Sequence, residues 1–174
     1  PVQATQVMMN LIDSHDTFRY LETCNGDISK LEMAVLFQMM YVGTPHVWYG
    51  DEVGMMGGHD PDCRRPFDWN YSQDSAKVSL RNHYKKLIQI RKEYSSLRTG
   101  TFKTLIADDM VYGFERSDSE STIKVILNND TKFNKIMLPS SNDLYIDLLS
   151  GNSFKSDNGK IEIDMPPMSG LILK

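Results

Sequence analysis

Periodicity changes once along this chain, near Gly100, and that change limits the fold more than any other feature. Before it, short apolar runs alternate with long stretches of helical spacing. After it come short β-prone runs, several with apolar residues every second position, separated by turn residues. Strand–helix–strand–loop–helix order is the pattern of parallel α/β structure. Evenly spaced short strands with turn signals are the pattern of an antiparallel sandwich or barrel. Two parts are therefore expected, residues 1–98 and 99–174, with the boundary between Tyr94 and Thr101.

In the first part, residues 7–12 (VMMNLI) read as a short buried strand. Asp27 suits the N-cap of a helix carrying Ile28, Leu31, Val35, Met39 and Val42 on one stripe, with Leu36, Phe37 and Met40 beside it. Gly43-Thr44-Pro45 ends that helix. Residues 46–49 (HVWY) read as a second buried strand. Residues 50–73 form a loop rich in Gly, Asp and Pro, and loops of that length in compact domains are often functional. A second helix is expected from about Asp74, with Leu80, Tyr84, Leu87, Ile90, Tyr94 and Leu97 on its packed face.

The second part reads as about seven strands: residues 102–106, 110–115, 122–128, 134–138, 144–149, 160–165 and 170–173. Turn signals such as Asn128-Asn129-Asp130 and Asp157-Asn158-Gly159 separate them. Ile161-Glu162-Ile163-Asp164-Met165 alternates, with one face in and one face out.

Composition narrows the partners. A formal net charge of −4 gives no reason to expect nucleic acid or an anionic membrane as partner, since either would usually need a basic face. No apolar run reaches the length of a membrane span, and no signal-peptide pattern opens the chain. Cys24 and Cys63 are too few for a disulfide framework or a zinc site. They are expected as reduced thiols, which suits a cytoplasmic location. His46, His59 and His83 lack metal-ligand spacing, so neither a metal nor a cofactor is expected. There is no Gly-rich phosphate loop, no His-x-x-x-His helix and no nucleophile elbow. Most of the eleven Met residues are expected to fill core gaps.

In parallel α/β folds, functional groups gather at the C-terminal ends of strands. Two features lie there. NLIDSHDTFRYL, residues 10–21, turns from apolar to polar at Ser14-His15-Asp16-Thr17. A His-Asp pair at a strand end is often structural. Here Ser14 and Thr17 supply hydroxyl donors that favour the charged carboxylate, and the imidazole could bind a polyhydroxyl substrate. The second feature is the loop GDEVGMMGGHDPDCRRPFDW, residues 50–69. Its acids and its Arg64 and Arg65 could staple the loop to itself, or Asp60 and Arg64 could clamp sugar hydroxyls, with Arg as donor fork and Asp as acceptor. Trp48, Tyr49, Phe67 and Trp69 are flat enough to face sugar rings, although core packing is the simpler expectation for each.

NLIDSHDTFRYL resembles the fourth sequence region of the alpha-amylase superfamily, glycoside hydrolase family thirteen. GTPHVWYGDEVGM is similar to the eighth strand of that family's (β/α)8 barrel. The Asp-Pro-Asp-Cys-Arg stretch within GGHDPDCRRPFDW is typical of its cyclomaltodextrinase, neopullulanase and maltogenic amylase group. The tail resembles the family's C-terminal β-domain. The resemblance implies the last two β/α units of a (β/α)8 TIM barrel followed by an antiparallel β-sandwich. It also implies an α-glucan oligosaccharide as substrate. Asp16 would be the third catalytic carboxylate, a transition-state stabiliser. His15 would hydrogen-bond the same sugar, and Asp60 and Arg64 would bind sugars further toward the non-reducing end.

Retaining glycosidases need a nucleophile and a general acid, two carboxyls about 5–5.5 Å apart. In the family these lie on the fourth and fifth barrel strands, which nothing here matches. The chain is expected to be a fragment that hydrolyses nothing alone, with partners in the missing N-terminal part of the barrel or in a second copy. The two barrel strands would leave an open edge and an uncovered apolar face. Alternatives are a superfamily transglycosylase, or a non-catalytic carbohydrate-binding or assembly module.

Overall fold

A computed structural model describes residues 2–174. The chain divides into two units, one ending at Gln89 and the other starting at Ile90.

The first unit opens with a short helix, α1 (Val2–Val7), and a strand, β1 (Met9–Leu11). After a one-turn helix, α2 (Tyr20–Thr23), comes α3 (Ile28–Met40). Asp27 caps α3 as expected, its carboxylate accepting from the Ser29 N–H at 3.1 Å. Leu31, Val35, Leu36, Met39 and Met40 of α3 are buried. The second strand, β2 (Thr44–His46), pairs in parallel with β1, Met9 opposite Thr44 and Leu11 opposite His46. It sits two residues earlier than the apolar run 46–49 suggests. α3 stops at Met40, and Gly43 turns the chain at φ +113° into the ladder, so pairing starts at Thr44. Trp48 and Tyr49 lie beyond the strand, in the loop that leaves it.

β1 is shorter than the expected run, because residues 2–7 are helical. It is also not buried: Met9 is 60% exposed, and Val7, Met8 and Leu11 are exposed with it. Among the described residues the β1–β2 sheet has two strands, and none pairs the far edge of β1. A cavity of about 480 Å³ is lined by Met9, Leu11 and Ile12 from β1 and the residue after it and by Phe37 and Tyr41 from α3 and its C-cap.

The loop after β2 is pinned by three short 3-10 turns, at Asp51–Val53, Asp62–Arg64 and Tyr71–Gln73. The long helix α4 (Ser75–Glu93) follows, its first N–H groups held by the Asp74 carboxylate. Leu80, Tyr84 and Leu87 are its buried residues in the first unit.

In the second unit, α5 (Ser96–Thr99) leads into eight strands. β3 (Thr101–Asp108), β4 (Val111–Ser117), β5 (Thr122–Asn128) and β10 (Ser169–Leu173) form one antiparallel sheet in the order β10-β5-β4-β3. β6 (Asn134–Pro139), β7 (Leu144–Ile146), β8 (Ser153–Asp157) and β9 (Lys160–Met165) form the other, in the order β6-β9-β8-β7. Val111 and Ile126 from the first sheet pack with Ile136, Leu138, Tyr145, Ile161 and Ile163 from the second, which makes the unit a β-sandwich. The expected strands at 122–128 and 160–165 are found with those bounds. β8 is the additional strand. Its sequence SFKSD has a single apolar residue, Phe154, so hydrophobic alternation could not reveal it.

Candidate active site

β1 and β2 are parallel, so their C-terminal ends open on the same side. The His15-Asp16 turn leaves β1, and the Trp48-Tyr49 segment leaves β2. The turn is tied by its own hydroxyls. The Ser14 N–H donates to Thr17 Oγ1 at 2.9 Å and the Asp16 N–H donates to Ser14 Oγ at 3.2 Å. Here the structure corrects the sequence expectation: Ser14 and Thr17 hold backbone and do not surround the Asp16 carboxylate.

Two cationic or polar side chains lie against that carboxylate instead. His15 Nε2 is 3.0 Å from Asp16 Oδ2, and Arg64 Nη2 is 3.4 Å from Asp16 Oδ1. Arg64 reaches back through Nε to Asp60 Oδ1 at 2.8 Å. The structure thus brings all four expected site residues together, although 44 to 49 positions separate the two pairs in sequence. Asp16 is 69% exposed and Arg64 46%, so the cluster faces solvent. Its rim is aromatic. The His15 ring lies 5.8 Å from Trp48, Trp48 lies 4.6 Å from Tyr49, and Phe18 meets His59 edge to face at 4.3 Å.

The turn carrying Arg64 is built locally. The Asp62 carboxylate accepts from the Gly58 N–H at 2.7 Å and from the Arg65 guanidinium at 2.7 and 2.8 Å. These bonds, the Gly58 N–H first and Arg65 next, hold its carboxyl below the usual aspartate range. Gly57 packs so closely on this turn that a Cβ there would lie 2.7 Å from the Asp62 carbonyl oxygen. Asp62 and Arg65 staple the loop, as do Asp60 and Arg64, and the Arg64 guanidinium also reaches Asp16 on the solvent-facing side.

One expectation fails nearby. Trp69 is 79% exposed rather than packed in a core, with its ring 4.8 Å from Phe67. Local sequence could not show this, since the loop 66–71 passes over the surface. Sequence reading also overlooked Arg19 and Asp13 and took Asp51 only as one of the loop's acids; all three are buried. The available signal was an arginine and two aspartates within or next to apolar runs, which requires internal pairing.

Two parallel strands with their helices and polar groups at the strand ends, followed along the chain by a β-sandwich, make the closing part of a (β/α)8 barrel with an appended β-domain. Residues 2–100 match the alpha-amylase family, described as "Alpha amylase, catalytic domain". The chain belongs to that family. It is 39% identical to neopullulanase 2 of Thermoactinomyces vulgaris over 99% of its length and 30% of that protein's. It is 46% identical to a cyclomaltodextrinase of a Bacillus species over 75% of its length and 23% of that protein's. Among solved structures, a cyclomaltodextrinase superposes on the whole chain with a TM-score of 0.89 and 35% identity, the chain spanning 30% of it. The chain thus spans less than a third of the length of these relatives.

Proposed function

We propose that this chain is the C-terminal portion of a retaining α-glucan hydrolase that cleaves α-1,4, and in some substrates α-1,6, glucosidic bonds of cyclodextrins, pullulan or maltooligosaccharides. Residues 1–98 would close its catalytic barrel, and 99–174 would form its C-terminal β-domain. The observation that carries this is the single guanidinium of Arg64 lying between Asp60 and Asp16, at the mouth formed by the C-terminal ends of β1 and β2.

The chemistry follows from charge and donor count. A glycosidic bond breaks through an oxocarbenium-like transition state, and a fixed carboxylate beside the ring lowers its energy. Asp16 supplies that charge, and His15 directs a ring nitrogen to the same sugar. Arg64 and Asp60 offer a donor fork and an acceptor to the next sugar, and hydroxyl groups need both. Arg64 sits closer to Asp60 than to Asp16, so an incoming hydroxyl competes for the weaker contact. The nucleophile and the general acid would come from the remainder of the barrel. The exposed apolar residues of β1 support this, since a strand buried on both faces in a closed barrel carries such side chains. A second copy of the chain is the other cover for that edge. Two buried free thiols fit a reducing, cytoplasmic compartment. Among the described residues no helix is long and apolar enough to cross a membrane.

The test compares this chain with its longer parent protein on β-cyclodextrin and pullulan. The expected result is reducing-sugar release by the parent alone, with maltotriose shifting the NMR signals of His15 and Arg64 in the short chain. Turnover by the short chain alone would overturn the assignment of roles.

A further inference from the structure

Arg19 has no exposed surface and makes contacts to three separate segments. Its Nε donates to the Cys63 carbonyl at 3.0 Å. Its Nη1 donates to the Tyr49 carbonyl at 2.7 Å and to Asp51 Oδ1 at 3.0 Å. Its own backbone N–H donates to the Gly57 carbonyl at 2.9 Å. The guanidinium also lies over the Tyr49 ring, 4.8 Å from its centroid. Cys63 closes the circuit: its thiol donates to the His15 carbonyl at 3.3 Å, and the next residue is Arg64. On the other side of the turn, the buried Asp13 carboxylate accepts from the Tyr20 N–H at 2.7 Å. The turn that carries His15 and Asp16 is therefore gripped at both ends. The grip at its far end also holds the turn that carries Asp60 and Arg64.

A buried guanidinium is tolerable only with its charge matched. Asp51 is its direct partner, and Asp13 is close enough to Asp51 to act on it. Two carboxyls and one guanidinium balance when a single proton stays on the acids. Asp51 is the group that keeps it: burial, and then Asp13, push its carboxyl up to about 9 against the pull of Arg19. A protonated Asp51 gives Asp13 a donor. A planar fork is needed for this task, because one ammonium cannot reach the Cys63 and Tyr49 carbonyls and Asp51 in fixed directions.

We propose that Arg19 is the positioning residue of the site, setting the spacing between the His15-Asp16 turn and the Asp60-Arg64 turn through its bonds to Cys63, Tyr49 and Asp51. That these turns bind a glucan rests on the function proposed above; the positioning role does not.

The experiment uses the chain of 174 residues with Arg19→Lys and Asp51→Asn. Iodoacetamide labelling of the native protein, resolved by peptide mass spectrometry, reads Cys63 and Cys24 separately, both buried and free. Maltotriose affinity is read by NMR. Arg19→Lys is expected to label Cys63 at least about tenfold faster through local opening, with Cys24 unchanged. It should also weaken maltotriose binding about tenfold, the size of one lost charged hydrogen bond. Asp51→Asn, which copies the protonated acid, is expected to keep Cys63 at least as protected as in the wild type and to bind maltotriose as the wild type does. Should Arg19→Lys unfold, the pair Arg19→Gln with Asp13→Asn removes both charges together, the asparagine oxygen still accepting from the Tyr20 N–H, and the same selective labelling is expected. Wild-type Cys63 protection in the Arg19 variants overturns the proposal, and so does an equal rise at both cysteines, which would mean general loosening. Selective Cys63 labelling in a chain that never binds maltotriose would uphold the positioning role and overturn the glucan reading.

Discussion

Asp51→Asn also makes a quantitative statement about stability. The Asp51 side chain is buried against Arg19 and Asp13, and its carboxyl titrates at about 9 in the folded chain against about 3.9 for an ordinary aspartate. Its neutral form is favoured on folding, so its contribution is fully present below the unfolded value and is lost as pH rises toward the folded one. Between those limits the unfolded chain has released the proton and the folded chain has not. Stability of the first unit should therefore fall by about 1.4 kcal/mol per pH unit from this group, or about 4 kcal/mol between pH 5 and pH 8. Asparagine keeps the shape and has no proton to lose, so the variant lacks this slope. Both tryptophans, Trp48 and Trp69, lie in the first unit, so their fluorescence during urea unfolding reports on that unit alone. The difference between wild type and Asp51→Asn should grow with pH in favour of the variant. Parallel stability curves from pH 5 to pH 8 would refute the reasoning, because they would mean that Asp51 is ionised in the folded chain.

Three further outcomes follow from the geometry. If the proposed function holds, Asp16→Asn in the longer parent protein should lower kcat by about 10²–10³-fold with a much smaller change in KM, measured on β-cyclodextrin, because the proposed role of that charge is in the transition state. Gly57→Ala would place a methyl 2.7 Å from the Asp62 carbonyl oxygen and 2.9 Å from Cys63 Cα. Both are backbone atoms, so the variant should lose about 1–3 kcal/mol by tryptophan-monitored unfolding and weaken maltotriose binding. In the second unit, Ile126→Ala should cost about 2–5 kcal/mol by urea unfolding followed through tyrosine fluorescence, since Ile126 is fully buried between the two sheets.

Much of this architecture was legible in local pattern. The change of period near Gly100, the Asp27 cap, the strands at 122–128 and 160–165, and the polar turn His15-Asp16 after a strand all follow from rules acting over a few residues. Hydrogen bonding within a helix or along a strand is set by neighbours, so neighbours reveal it. β8 was not legible because its sequence alternates weakly, and pairing with β7 and β9 makes it a strand. Nor could exposure be read from apolar runs. Residues 7–12 have the composition of a buried strand, yet the edge of β1 is open because burial depends on what is packed alongside.

The sequence by itself determined which residues could bear the chemistry: a His-Asp pair, and an Asp and an Arg four apart in a stapled loop. Tertiary structure decided that Arg64 lies between Asp60 and Asp16, and that Arg19, unremarkable in sequence, ties their two turns together. The physical reason is distance along the chain. Arg19 and Cys63 are 44 residues apart, and their contact exists only once parallel pairing of β1 and β2 has brought both loops to the same end of the sheet. A buried guanidinium then selects the carbonyls and the carboxyl that surround it, and no local rule names those partners.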